Sequence, residues 1–111
     1  MPFDSSPTNT VADVLRRAKA LIDTPEKWGK GRTGWGNTEK CTGGAIMWAI
    51  REVRGMGDSG WDDAVFAPAF NAFKAANKIE CIPSWNDAEQ RTHADVIAAL
   101  DKAIALAEAE G

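Results

Sequence analysis

The chain has 111 residues, 44% hydrophobic and 26% charged, with a net charge of −3. This composition describes one globular domain over residues 1–111, not a disordered chain, and gives no overall field that would favour nucleic acid or an anionic membrane surface. No apolar run approaches the roughly 20 residues a membrane helix needs, and no leader of charged-then-apolar type opens the chain. The expected location is therefore cytoplasmic, with Cys41 and Cys81 as reduced thiols. Aromatic usage is uneven, with five Trp, four Phe and no Tyr. Tryptophans in that number imply either an indole-stapled core or an aromatic contact surface.

Residues 1–9 read as an extended lead-in. Thr10 with Asp13 forms a capping-box pattern, and Val11, Val14, Leu15, Ala18, Leu21 and Ile22 recur at helical spacing, so a first helix is predicted over 11–23, ended by Pro25. Residues 24–40 carry four glycines, Trp28, Trp35 and a surplus of positive charge, and read as a long loop of the kind that usually carries function. The second predicted helix runs from Glu39 to Arg54 with Thr38 as its cap. Its apolar stripe is Ile46, Ala49, Ile50 and Val53, beside a second stripe of Cys41, Ala45, Trp48 and Glu52. Gly43 and Gly44 lower its intrinsic stability by about 1 kcal/mol each, which is tolerable where another helix must come close. Gly55 and Gly57 end it.

A third region spans Trp61 to Asn77. Pro68 divides it into two short helices or one kinked helix, with Val65, Phe66, Ala69, Phe70 and Phe73 on the apolar face. Asn77-Lys78 suits a left-handed terminal turn, and residues 79–84 read as a short extended run. The last helix begins at His93 behind a Thr92/Asp95 capping box and buries Val96, Ile97, Leu100, Ala103, Ile104 and Ala107. The predicted fold is all-α: a compact single domain of four to five helices with a long Gly/Trp-rich loop.

Three blocks resemble a family of small bacterial and phage proteins that share a domain of unknown function. They are Val14 to Ile22 with Trp28 following; Cys41-Thr42-Gly43-Gly44-Ala45, which keeps a Cys-x-x-Gly-Ala block; and Trp85-Asn86-Asp87 through Arg91-Thr92-His93-Ala94-Asp95-Val96. The resemblance implies a compact helical domain in bacteria or their phages, virion-associated if phage-encoded, and implies no activity.

Several constellations invite a chemical reading. Cys41 at a helix start, with His93 and the orienting carboxylate of Asp87, matches the parts of a thiol hydrolase or transferase; the same residues also suit helix packing and helix ends. No pair of cysteines or histidines has the spacing of a structural zinc site, so no metal and no cofactor are expected. Gly29-Lys30-Gly31-Arg32-Thr33-Gly34 spells G-x-G-x-x-G but lacks the preceding strand that a dinucleotide site requires. The loop's Trp28, Lys30, Arg32 and Trp35 suit protein contact first, a merely solvated loop second and nucleic acid least. Trp85, Asn86 and Arg91 are binding candidates whose structural alternative is a cover on the core edge, a side-chain-bonded turn and an ion pair. The expected function is a non-enzymatic accessory or assembly protein that binds another protein or itself, away from membranes. The alternatives are the Cys41/His93 thiol enzyme and a phage-encoded inhibitor of a host defence complex.

Overall fold

The structure, a computed structural model, describes residues 10–30, 39–54 and 63–110. The lead-in, Thr38, Arg32, Trp35, the glycines at 55 and 57 and Trp61 lie outside the described residues, as do the side chains of Thr10, Val65 and Phe66. Five α-helices are present among the described residues: α1 (Thr10–Leu21), α2 (Thr42–Arg54), α3 (Asp63–Asn77), α4 (Ile82–Asp87) and α5 (His93–Glu110). A single 3₁₀ turn, Pro25–Lys27, follows α1.

The stripes at helical spacing become the core. Val14, Leu15, Ala18 and Ile22 of the first stripe are fully buried, and so are Ala45, Ile46, Ala49 and Ile50 of α2. Val96, Leu100 and Ala103 of α5 and Phe73 of α3 complete the interior. α1 sits centrally, packed against α2, α5 and α3, while α3 lies along α5. Each fully buried branched or aromatic side chain removes enough apolar surface to contribute about 1.5–3 kcal/mol. The rim is laced by exposed ion pairs from α1: Arg17 to Glu52 at 2.6 Å, Lys19 to Asp101 at 2.7 Å, and Arg16 to both Asp13 and Glu108. Exposed pairs of this kind add little individually, so the apolar contacts set the helix arrangement.

Three expectations are corrected, and of the two arrangements left open at Pro68 the single helix is the one that forms. Residues 82–87 form the helix α4 where an extended run and an Asn-Asp turn were expected, because Pro83 sits in its first turn, where no N–H is required. α2 starts at Thr42 and not at Glu39, since Lys40 is drawn into a parallel bridge with Trp28. Val53 is 39% exposed and lies off the buried face. The expected turn after α3 is present: Lys78 adopts φ 55°, and Ile79 N–H donates to Lys74 O at 2.9 Å. Asn77 then ties α3 to α5, its amide donating to Phe73 O and Ala99 O at 3.0 Å each.

Close helix approach was the expected reason for Gly43. A Cβ built there would meet Phe70 Cε1 at 3.8 Å and Ile82 Cγ2 at 3.9 Å, which is ordinary van der Waals contact. Gly43→Ala should therefore raise stability by about 0.5–1 kcal/mol, through helix propensity and a less flexible unfolded chain. Urea unfolding checks this; a fall in the midpoint would show that the helices need the bare backbone there.

Candidate functional site

The block from Trp85 to Asp95 folds around one side chain. Asn86 is fully buried in α4. Its Oδ1 accepts hydrogen bonds from Trp28 Nε1 at 2.7 Å, Thr42 N at 3.0 Å and Thr42 Oγ1 at 2.6 Å. Its Nδ2 donates to Gly29 O at 3.2 Å and Asp87 Oδ1 at 2.9 Å. Three donors on one side and two acceptors on the other fix the orientation of the amide chemically. One residue thus joins the end of the 3₁₀ turn, the first turn of α2 and α4.

The base of the 24–40 loop is fastened around this amide. Lys40 N–H donates to Lys27 O at 2.8 Å and Gly29 N–H to Lys40 O at 3.1 Å, closing the Trp28–Lys40 bridge. Lys30 Nζ reaches Ala88 O at 2.8 Å and Glu89 O at 3.1 Å, carbonyls just past the end of α4, where a cation is favoured by the helix dipole. Trp28 is half-buried against the core with its indole N–H turned to Asn86. It is an inward staple. Lys30 is exposed, but its ammonium is held by these carbonyls.

The candidate catalytic residues are each bonded into the fold. Cys41 occupies the position just before α2: its carbonyl accepts Ala45 N–H at 2.9 Å and its Sγ accepts Gly44 N–H at 3.3 Å, in the manner of a capping side chain. His93 Nε2 donates to Ile22 O at 2.7 Å, satisfying a carbonyl at the end of α1, and its ring lies 6.3 Å from that of Trp28. The carbonyl partner assigns the proton to Nε2. Asp87 Oδ1 holds the Asn86 amide. No hydrogen bond joins Cys41 to His93 among the described residues, and no group of three metal-binding side chains occurs among them.

Trp85 and Arg91 form a second unit. Trp85 packs edge-on against Phe73 at 5.5 Å, and the Arg91 guanidinium carbon lies 4.0 Å from the Trp85 ring centroid. Arg91 Nε donates to Trp85 O at 2.8 Å, while the expected carboxylate bridge, to Asp95, is long at 3.9 Å. The Thr92/Asp95 capping box forms as predicted, with reciprocal bonds of 3.0 and 3.2 Å.

The sequence marks Cys81 only as a reduced thiol and gives it no site of its own. This thiol is exposed at the start of α4 beside an open cleft of about 280 Å³ lined by Phe70, Lys74, Ile82 and Pro83. The polar hydrogens of Ser84, hydroxyl first and backbone N–H second, hold its pKa below that of an ordinary thiol, and the Lys74 charge adds a smaller part. No full capping hydrogen bond closes from the sulfur. A cysteine two residues before a proline, at a helix start too short to show periodicity, gives no pattern from which to read this.

Residues 6–106 match the family of unknown function DUF6197, and the chain belongs to that family. No curated protein and no solved structure matches it.

Asn86→Ala strands several buried partners at once and should cost about 3 kcal/mol or more in denaturant unfolding. A loss near 1 kcal/mol would show that the network rearranges around the gap. Alkylation by iodoacetamide should modify Cys81 well before Cys41, with a rate midpoint at lower pH than an ordinary thiol's. Mass spectrometry of the labelled protein and of Cys81→Ser reads the order; preferential labelling of Cys41 would contradict it.

Proposed function

We propose that this member of DUF6197 is a non-enzymatic binding protein of a bacterial or phage setting, acting through protein contact by the loop whose ends the Asn86 network fastens. The observation that carries the reading is the pairing of an anchored loop base with that loop's sequence. Between the bridge partners Trp28 and Lys40 the chain holds Arg32 and Trp35, residue types favoured as interface anchors. Anchoring the base lowers the entropy lost when such a segment engages a partner. It also accounts for a buried amide network whose groups are all satisfied internally, which makes sense as a scaffold for a neighbouring segment.

The bonding of the three catalytic candidates supports the same reading. Cys41, His93 and Asp87 each complete a backbone or amide requirement of the fold. Among the described residues, no helix is long and apolar enough to cross a membrane, which agrees with a protein partner or a second copy of the chain.

A photo-crosslinking amino acid placed at position 35, in cells that carry the gene, tests the proposal. The expected result is an adduct of defined mass, either with one other protein or with a second copy, which Arg32→Ala abolishes without moving the unfolding midpoint. Absence of any adduct, together with His93-dependent labelling of Cys41 by an electrophilic acyl probe, would replace this reading with the thiol enzyme.

A further inference from the structure

A cleft of about 190 Å³ lies between the end of α3 and the first turns of α5. Arg91, Lys102, Asn77 and Trp85 supply its polar wall, and Ala98 and Ala99 its apolar floor. We infer that this cleft is a binding site for a carboxylate carried on a small apolar group, such as the end of a peptide or a short organic acid.

The charge of the cleft is only partly neutralised. The cations of α1 that line the helix rim sit against carboxylates, as Arg16, Arg17 and Lys19 do. Lys102 forms no ion pair among the described residues, and Arg91 approaches Asp95 no closer than 3.9 Å. Asp95 cannot readily close that gap, because its Oδ2 accepts Thr92 N–H at 3.0 Å within the capping box that starts α5. The cleft therefore keeps two cations against one diverted carboxylate.

Arg91 is also built for recognition. Its side chain is only 19% exposed, its Nε is tied to Trp85 O, and its plane rests on the Trp85 ring. A guanidinium held at Nε and stacked on an indole loses little further freedom when its two terminal nitrogens grip a carboxylate side by side. Lys102 adds a mobile point charge from the rim. The Trp85 indole N–H donates to no group among the described residues, and Trp85 lines the cleft. Asn77 is braced by Phe73 O and Ala99 O, so the wall it forms is rigid. The volume exceeds a single water's roughly 30 Å³ several-fold, enough for a carboxylate with two or three carbons over the alanine floor. The site is separate from the loop and does not depend on its having a partner.

Titration of the intact protein with N-acetylalanine, followed by the indole and Arg Nε resonances in ¹H–¹⁵N spectra, tests the inference. Saturable shifts of the Trp85 and Arg91 signals are expected with dissociation constants around the millimolar range. N-acetylalanine amide should leave them unmoved. Lys102→Ala, which removes no contact of the fold, should weaken binding about tenfold, in line with the loss of one charge-assisted contact. Tighter binding of acetyl-trialanine than of N-acetylalanine assigns a peptide terminus; equal binding assigns a free acid. Equal shifts with the amide, tighter binding of inorganic phosphate, or indifference to Lys102→Ala would each overturn the site.

Discussion

The buried amide of Asn86 is the interaction on which the rest of this structure depends. A polar side chain taken fully out of water costs several kcal/mol unless its hydrogen bonds are replaced, and here five partners replace them. Those partners come from segments distant in sequence: the turn after α1, the start of α2, and α4. Apolar packing alone would let these pieces slide, because contacts between alanine and isoleucine faces are weakly directional. The amide is directional and admits one arrangement. It converts a set of amphipathic helices into a scaffold with a defined loop base.

The helical core was legible because its periodicity is strong. Stripes such as Val14-Leu15-Ala18 and Val96-Leu100-Ala103 leave one face to bury, and α1 and α5 bury it. α4 was not legible. Six residues hold less than two turns, too few for a period to show, and Ile82-Pro83 imitates an extended entry. Pro68 looked like a break because proline interrupts isolated helices; in α3 the surrounding packing of Ala69 and Phe73 outweighs the lost bond. Val53, in the last turn of α2, keeps the period of the stripe and is still 39% exposed.

The candidate site was legible in its membership and not in its roles. The block from Trp85 to Asp95 is dense in residues with hydrogen-bonding ends, and the structure uses those of Asn86, Asp87, Arg91, Thr92, His93 and Asp95. What sequence could not show was direction. Cys41 and His93 sit at helix termini, where backbone donors and acceptors lack intrahelical partners, and each supplies one. Residues placed for that purpose look much like a nucleophile and its base when read as letters. Trp28 and Arg91 show the converse: the first points inward to Asn86, while the second is held at Nε by Trp85 O and has one terminal nitrogen 3.9 Å from Asp95.

An amide that holds the fold in this way must be as firmly closed as the core itself. Native-state hydrogen exchange at two of its donors, the Trp28 indole N–H and the Thr42 amide, measures this without altering a residue. The account predicts that both open only with global unfolding, at the same free energy as the slowest amides of α1 and α5. Exchange of either proton at the rate of an exposed group, while those helices stay protected, would contradict it and leave the loop base unanchored.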